Sequence, residues 1–267
     1  MNNGILALFP APKIQLFCGD CLHVMPTIEE RSVDLVLADP PYGTTACEWD
    51  SIIPMKPLWE QLSRIIKSDG VIAMMASQPF TSRLVLSNEK WFRYGWVWNK
   101  NGGANFFNLR NRPVKTHEDV LIFSPSSHFT FNPKRVARTE SSLKRDKPGK
   151  DRKIRAGERV IEHYGKKQVA GLYGGFQADG LRHPVDIITF SVHEKGRYCF
   201  KFPTKKPVKL CAYLIETYTI EGDTVLDFCM GSGSTGVAAK RLNRHFIGIE
   251  KSKEAFDLAT KRIEEGT

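Results

Sequence analysis

The sequence lacks a long hydrophobic run, and this absence excludes an evident membrane span. Its N-terminal apolar segment, ILALF at residues 5–9, is too short to cross a bilayer, and no basic residue precedes it as in a secretory signal. We therefore expect a protein without a membrane partner that stays in the cytoplasm. The 267 residues are 41% hydrophobic, which is enough to bury one large core.

Cysteine is also scarce, with six residues in 267, and only Cys18 and Cys21 stand at C-x-x-C spacing. A zinc site of this type needs a second pair, and small disulfide scaffolds contain far more cysteine. We predict reduced thiols and no metal site. Metal or redox chemistry at this one pair is the alternative.

Acidic residues are too few to balance the basic ones, and the formal net charge is +10. Residues 134–167 hold 13 Lys and Arg against 5 Asp and Glu, so most of the surplus lies in this segment. Such a concentration favours a polyanionic partner, most simply nucleic acid. A solvated basic loop is the alternative.

Apolar, β-branched runs alternate with helical periodicity over most of the chain. The predicted strands are 14–18, 33–38, 70–75, 94–98, 119–124, 224–228 and 245–249. The predicted helices lie near 55–68, 79–88, 207–219, 234–243 and 251–265. This alternation indicates an α/β fold with a mostly parallel seven-stranded sheet and helices on both faces. Residues 99–118 and 125–196 lack sustained periodicity and are predicted to be loops and an insertion.

A glycine-rich turn, DFCMGSGSTGVAAK at residues 227–240, connects a predicted strand to a predicted helix. Gly231, Gly233 and Gly236 fit G-x-G-x-x-G, which permits a tight turn and close approach of the backbone to a ligand. Glu250, at the end of the next strand, is placed to accept hydrogen bonds from ribose hydroxyls. The order of these features indicates an adenosine-containing cofactor, either NAD or S-adenosylmethionine. A turn used only for tight packing is the alternative.

The position of this turn near the end of the chain indicates a circularly permuted Rossmann-like sheet. Strands that could flank the one before Glu250 lie in the first half of the sequence, so the nucleoside half follows the other half. Asp20 comes after the strand at 14–18, which we expect beside the strand that bears Glu250. Asp20 is therefore a candidate contact for the adenine of the cofactor.

The corner Asp39-Pro40-Pro41-Tyr42 follows the predicted strand at 33–38, where ligands bind in open α/β sheets. An exocyclic amine of a nucleobase is a poor nucleophile because its lone pair is delocalised into the ring. Asp39 and the carbonyl of Pro40 can each accept one N–H of that amine and favour its pyramidal form. The ring of Tyr42 offers a stacking face for a base that is flipped out of the duplex. A rigid polar turn is the alternative.

These motifs resemble the amino-group DNA methyltransferases of the N6-adenine and N4-cytosine type, specifically the β class, in which D-P-P-Y precedes the glycine motif. The resemblance implies a methyltransferase fold with a catalytic half at 1–124, a basic target-recognition insertion at 125–196 and a cofactor-binding half at 197–267. It also implies S-adenosylmethionine as the cofactor, double-stranded DNA as a partner and a homodimer as an accessible state.

Several cofactor contacts follow from the same resemblance. Segment FPTKKPVKL, residues 202–210, is similar to the family segment that approaches the methionine end of the cofactor. The implied cofactor contacts are Asp20, Thr204, Lys206, Asp227, Phe228, Gly231, Gly233 and Glu250. Among them, Asp227 is the candidate partner of the cofactor's ammonium group.

Two departures from the family pattern bear on these contacts. The family usually has His where this chain has Phe202, and Pro-Phe where it has Phe228-Cys229. Asp at the first position of the D-P-P-Y motif is typical of N6-adenine enzymes, whereas Ser or Thr is typical of N4-cytosine enzymes. Asp39 therefore favours adenine. Cytosine N4 is the alternative.

Contacts to DNA are expected from the basic insertion and from the loop at 99–112. Phe106 and Phe107 in that loop are candidates for entering the duplex, or else they pack on the core. The complete set of candidate DNA contacts is Asn105, Phe106, Phe107, Arg110, Lys134, Arg135, Lys144, Arg145, Arg152 and Lys153.

Three other functions remain open on the sequence alone. An RNA or protein amide methyltransferase would usually place the cofactor half first. A nicotinamide oxidoreductase would share the glycine turn but leaves Asp39 to Tyr42 unexplained. A non-catalytic DNA-binding subunit with a methyltransferase fold would be expected to have lost Asp39 or the glycines, and both are present.

Overall fold

The structure of the protein is a computed structural model, which describes residues 11–45, 47, 50–104, 110–111, 113–138, 140, 160–163, 166–169, 181–192 and 205–266. Contacts divide the chain into two units, one formed by Met1–Asn132 and Val185–Thr267 and the other by Pro133–Pro184. The borders of the second unit therefore lie inside the insertion predicted at 125–196. Its role in target recognition stays a prediction.

The secondary structure follows the predicted alternation. The strands are β1 Ile14–Cys18, β2 Val33–Ala38, β3 Ile66–Ala76, β4 Phe92–Ala104, β5 Lys115–Phe123, β6 Val136–Ala137, β7 Val160–His163, β8 Lys166–Val169, β9 Leu181–Arg182, β10 Ile187–Thr189, β11 Thr224–Asp227 and β12 His245–Glu250. The helices are α1 Cys21–Val24, α2 Met55–Ile65, α3 Phe80–Ser87, α4 Val208–Tyr218, α5 Ser234–Arg241 and α6 Lys253–Glu265, with a 3-10 helix at Met25–Thr27.

The first unit is built on one sheet with the strand order β1-β12-β11-β2-β3-β5-β4-β10. The first five strands in this order run parallel, β5 is antiparallel to both of its neighbours, and β10 is parallel to β4. Strands β11 and β12, which come last in the chain, lie between β1 and β2. This order confirms the predicted circular permutation.

The apolar sequence of the central strands is explained by burial on both faces of the sheet. In β2, Leu35 and Leu37 pack in one core cluster, whereas Val36 and Ala38 pack in the other. Successive side chains of a strand point to opposite faces, so a strand covered on both sides needs a nearly continuous apolar run. Buried residues of α4, α5 and α6 belong to the first cluster, and those of α2 and α3 belong to the second.

The predicted fold class is confirmed, with one correction: the sheet has eight strands rather than seven. The additional strand, β10, lies in a region for which the sequence predicts an irregular insertion. Three residues are too few to show a readable periodicity, and the strand forms because β4 supplies its hydrogen-bond partners. The Val97 N–H donates to Asp186 O over 2.8 Å, and the Phe190 N–H donates to Asn99 O over 3.1 Å.

The second unit contains two small antiparallel pairs. Strands β6 and β9 pair through Val136 and Arg182, and β7 pairs with β8. The guanidinium of Arg135 donates to Leu181 O over 3.2 Å, which links the two strands of the first pair. Within the described ranges, no helix combines the length and the apolar character that crossing a membrane requires.

Candidate active site

The candidate site residues collect at one edge of the sheet, because the parallel strands all end there. Asp20 follows β1, Asp39 follows β2, Asp227 ends β11 and Glu250 ends β12. Cys18 of β1 is the register partner of Glu250, which confirms that these two strands are neighbours. Ligands bind at this edge in open α/β sheets, as the sequence predicts for this chain.

The Asp-Pro-Pro-Tyr corner holds its carboxylate between two donors. The Tyr42 hydroxyl donates to Asp39 Oδ1 over 2.6 Å, and Lys206 Nζ lies 2.6 Å from Asp39 Oδ2. The ring of Tyr42 stacks on Phe80 with a centroid distance of 5.3 Å. Burial, followed by the nearby Asp39 and Glu118 charges, raises the pKa of the Tyr42 hydroxyl, so this group is a donor at neutral pH.

The loop after this corner is fixed by Asp50, a residue that no sequence motif singles out. Asp50 Oδ1 accepts the N–H groups of Tyr42 at 2.8 Å and Gly43 at 2.9 Å, and Oδ2 accepts those of Thr44 at 2.8 Å and Thr45 at 2.6 Å. Burial alone would raise the pKa of the Asp50 carboxyl, but Thr45 and these backbone donors lower it. A single Asp in a loop shows no sequence pattern that reveals this role.

A line of alternating charges connects Asp39 to the neighbouring strands. Lys206 Nζ, which is 2.6 Å from Asp39 Oδ2, is also 3.3 Å from Glu118 Oε2, and Lys100 pairs with Glu118 Oε1. Glu118 lies at the same edge as Asp39 because β5 is antiparallel and begins where β3 ends, with Asp119 paired to Ala76. The structure therefore brings Lys206 to the predicted catalytic carboxylate.

Opposite charges determine the ionisation of this line. Burial alone would raise the pKa of Glu118, but the adjacent Lys206 and Lys100 ammonium groups lower it. Burial alone would lower the pKa of Lys206, but Asp39 and Glu118 raise it. Both residues are therefore charged at neutral pH. The sequence does not point to Glu118 or Lys100, because their importance depends on which strands are adjacent.

The three glycines of the glycine-rich turn have different structural roles. Gly231 has φ +50° and open space where a Cβ would lie, so the backbone can be approached closely there. Gly233 has φ +78° and is the N-cap of α5. A Cβ on Gly236 would lie 2.5 Å from Ile263 Cδ1, so this glycine is required for packing against α6. Packing therefore requires Gly236, whereas the predicted contact with a ligand stays a prediction for Gly231.

Glu250 connects the glycine turn to the end of β12. Its Oε2 accepts the Gly231 N–H over 2.8 Å, and its Oε1 accepts the Ser252 N–H over 2.8 Å. A carboxylate oxygen can accept more than one hydrogen bond, so Glu250 retains acceptor capacity for hydroxyl groups. Its contact with a ribose stays a prediction.

Asp227 is almost completely buried, with 3% of its surface exposed, and its Oδ1 accepts the Cys229 N–H over 3.1 Å. Burial raises the pKa of its carboxyl to about 7; the hydrogen bonds from Thr235 and Cys229 oppose this, whereas the Asp39 and Glu250 charges add to it. A cation placed here would be stabilised by several acids. Burial also raises the pKa of the Cys229 thiol well above its usual value, so this thiol is protonated at neutral pH and is a poor nucleophile.

Two further predicted cofactor contacts have structural roles in the described chain. Asp20 caps α1, since its Oδ1 accepts the Leu22 N–H over 3.0 Å, and its Oδ2 lies 3.2 Å from Lys251 Nζ. Phe228 is 1% exposed and packs in the second core cluster. Its predicted contact with the cofactor stays a prediction.

The candidate DNA contacts are only partly described. Arg110 and Lys134 are exposed and Arg135 is half-buried. The site residues that lie outside the described ranges are Asn105, Phe106, Phe107, Lys144, Arg145, Arg152, Lys153 and Thr204, together with Phe202. Among the described residues, no group of three His, Cys, Asp or Glu side chains could hold a metal ion, and Cys18 and Cys21 are free thiols.

The permuted sheet, the glycine turn and the Asp-Pro-Pro-Tyr corner define a methyltransferase fold. A family model described as DNA methylase, for N6 and N4 methyltransferases, matches residues 33–261. The chain therefore belongs to this DNA methylase family, as the motifs predicted.

Two curated relatives agree with this family. The chain is 28% identical over 265 residues to the Type II methyltransferase M.HpaI of Haemophilus parainfluenzae, covering 94% of this chain and 74% of the relative. It is also 28% identical over 281 aligned residues to the Type II methyltransferase M.HinfI of Haemophilus influenzae, covering 92% and 67%.

Solved structures show the same fold. The complex of M1.HpyAVI with SAM has a TM-score of 0.59 at 23% identity and covers 94% of this chain and 98% of its own. The cytosine-N4-specific PvuII DNA methyltransferase has a TM-score of 0.64 at 16% identity and covers 96% and 94%. Because one of these neighbours is a cytosine enzyme, the fold does not distinguish the two target bases.

Proposed function

We propose that the protein transfers a methyl group from S-adenosylmethionine to the N6 amino group of adenine at specific sites in double-stranded DNA. The observation that carries this proposal is the Asp39 carboxylate, held at the sheet edge by Tyr42 and Lys206. The curated relatives are Type II methyltransferases, which supports a site-specific reaction on DNA. A cytoplasmic location agrees with such a substrate.

The described residues fit the proposed cofactor. Asp20, Asp227 and Glu250 present acidic groups for cationic and hydroxyl-bearing parts of the molecule, and Gly231 leaves space beside the turn. A related protein, M1.HpyAVI, has been solved with SAM. When bound, S-adenosylmethionine supplies an electrophilic methyl group next to its sulfonium centre.

Asp39 is proposed to orient the target amine. One carboxylate oxygen accepts one N–H of the amine, and the carbonyl of Pro40 accepts the other, which localises the lone pair on nitrogen. The oriented amine nitrogen would accept the methyl group that S-adenosylmethionine supplies, the bond pair of the broken sulfur–carbon bond would stay on sulfur, and the surplus amine proton would pass to solvent. Alignment of this type accelerates a reaction as much as an effective reactant concentration of about 10⁵ to 10⁸ M.

The base must leave the duplex to reach this corner. Phe80 covers one face of the Tyr42 ring, so the flipped base is proposed to stack on the other. Direct transfer requires no covalent enzyme intermediate, and the protonated Cys229 thiol agrees with this. Asp at position 39 supports adenine as the target, because cytosine enzymes of this type usually carry Ser or Thr there.

The test is incubation with labelled S-adenosylmethionine and plasmid DNA, followed by digestion to nucleosides. We expect label in N6-methyladenine from the wild-type protein and none from Asp39→Ala. Label only in N4-methylcytosine would show that the target base is cytosine and would contradict the assignment to adenine. No label on DNA of varied sequence would favour a non-catalytic DNA-binding subunit. The predicted homodimer is tested separately by light scattering.

A further inference from the structure

Asp39 has no unoccupied carboxylate oxygen in the described structure. Tyr42 donates to Oδ1, and Lys206 Nζ contacts Oδ2 at 2.6 Å. A target amine must therefore share a carboxylate oxygen with one of these donors or displace it. The Tyr42 hydroxyl is held by the rigid corner and by its ring stacked on Phe80, whereas the flexible side chain of Lys206 can move.

Glu118 offers Lys206 a second position. Its Oε2 is buried, lies 3.3 Å from Lys206 Nζ and has no well-formed hydrogen bond within the described part of the chain. Buried polar atoms in proteins are nearly always hydrogen-bonded, so an unsatisfied carboxylate oxygen beside an ammonium group is unusual. A shift of Nζ toward Glu118 would satisfy this oxygen and weaken the contact of Nζ with Asp39 Oδ2, which makes room for a second donor there.

The shift strengthens the existing ion pair of Lys206 with Glu118 and weakens the pair with Asp39, whose carboxylate keeps the Tyr42 hydroxyl and gains the amine as hydrogen-bond donors. Lys100 pairs with the other oxygen of Glu118 and holds this carboxylate in place. Lys206 therefore stays charged and stays next to the site in both positions. Its positive charge continues to favour the ionised form of Glu118 by lowering the pKa of that carboxyl.

We propose that Glu118 is a positioning residue, which draws Lys206 away from Asp39 when the target amine binds. This inference rests on the proposed function, because it assigns the displaced position at Asp39 to the amine of the base. Lys206 acts as a movable counter-ion, and Glu118 does not touch the reacting atoms.

The first test is a crystal structure of Asp39→Asn, which keeps the shape of the side chain but removes its charge. We expect Lys206 Nζ to move toward Glu118 Oε2, from 3.3 Å to the distance of about 2.7–2.9 Å typical of charge-assisted hydrogen bonds. Nζ that remains beside residue 39, with Glu118 Oε2 still unsatisfied, would overturn the proposal. This readout does not depend on methyl transfer, so it stands apart from the test of the proposed function.

The second test is a double-mutant cycle on the single-turnover rate of methyl transfer to plasmid DNA. We expect Glu118→Gln to slow transfer at least about tenfold in the wild-type background and less than about twofold in Lys206→Met. An equal loss in both backgrounds would show that Glu118 acts independently of Lys206 and would overturn the proposal. Affinity for S-adenosylmethionine, measured by calorimetry, should be unchanged by Glu118→Gln.

The matched control is Asp34→Asn. Asp34 lies near the start of β2, whereas the Asp-Pro-Pro-Tyr corner follows the end of this strand, and Asp34 pairs with Lys67 at 2.6 Å. Removing this ion pair should change stability and leave the single-turnover rate within about twofold. A comparable loss of rate in Asp34→Asn would assign the effect of Glu118→Gln to general destabilisation and would overturn the proposal.

Discussion

The backbone N–H of Gly231 donates to Glu250 Oε2 over 2.8 Å, so that the glycine turn after β11 is tied to the end of β12. This bond brings together two segments that the sequence assigns to cofactor binding. The carboxylate orders the turn, and its contact with a ribose stays a prediction.

We predict that Glu250→Gln weakens binding of S-adenosylmethionine by about tenfold or more, because the amide replaces one acceptor oxygen with a donor. Isothermal titration calorimetry measures this change directly. Glu254→Gln, an exposed acid in the first turn of α6, is the control and should bind normally. Equal affinity of Glu250→Gln and wild type would exclude Glu250 from the cofactor site.

Gly236 and Gly231 should respond differently to alanine. Gly236→Ala should lower the free energy of unfolding by about 1–3 kcal/mol, because the added methyl overlaps Ile263 and Phe246. Gly231→Ala has space for the methyl, but its φ of +50° is strained for alanine and costs about 1–2 kcal/mol. The variants should therefore differ in cofactor affinity, which calorimetry measures and which only Gly231→Ala should reduce. Loss of cofactor affinity in Gly236→Ala as large as in Gly231→Ala would contradict different roles of these glycines.

Asp50→Asn should destabilise the protein by about 2–4 kcal/mol at pH 7, because the backbone donors of Tyr42, Gly43, Thr44 and Thr45 lose their charged acceptor. The pKa of Asp50 is lowered in the folded state, so its stabilising contribution is present above the unfolded value of about 3.9 and is lost as pH falls through the folded value. Urea unfolding from pH 7 to pH 3 should therefore show the wild type approaching the variant. Asp69→Asn removes an exposed charge and serves as the control.

Asp227 should give the opposite dependence on pH. Its folded pKa of about 7 lies above the unfolded value, so the folded protein retains a proton that the unfolded chain has lost. The contribution of Asp227 to stability therefore decreases as pH rises from about 4 to about 7. We expect the free energy of unfolding of Asp227→Asn, relative to wild type, to be higher at pH 8 than at pH 5. A difference that does not change with pH would contradict the raised pKa.

The basic insertion should determine how salt affects DNA binding. Replacing Lys144, Arg145, Arg152 and Lys153 together with Gln should make the slope of log K against log salt shallower by about 0.9 for each phosphate that the variant no longer neutralises. Fluorescence anisotropy with a labelled duplex at several salt concentrations measures the slope. Lys261→Gln, an exposed residue of α6, is the control. An unchanged slope would remove these four residues from the DNA interface.

The sequence by itself determined the features whose chemistry is local. The apolar run VDLVLA followed by Asp39 to Tyr42 predicts a buried strand that ends in a catalytic corner, and the structure has that strand at Val33–Ala38. The glycine turn is readable for the same reason, since strand, turn and helix follow one another directly along the chain. The order of these two motifs also predicts the permuted sheet, which the strand order confirms.

Only the tertiary structure decided which distant residues meet at the corner. Lys206 reaches Asp39, and Glu118 reaches Lys206, because β5 runs antiparallel and begins at the edge where β2 ends. Asp50 fixes the loop through backbone N–H groups, which are identical for every residue type except proline and leave no trace in the sequence. The eighth strand, β10, depends on hydrogen bonds supplied by β4. Interactions of this kind are set by strand direction and neighbourhood, which composition and periodicity do not encode.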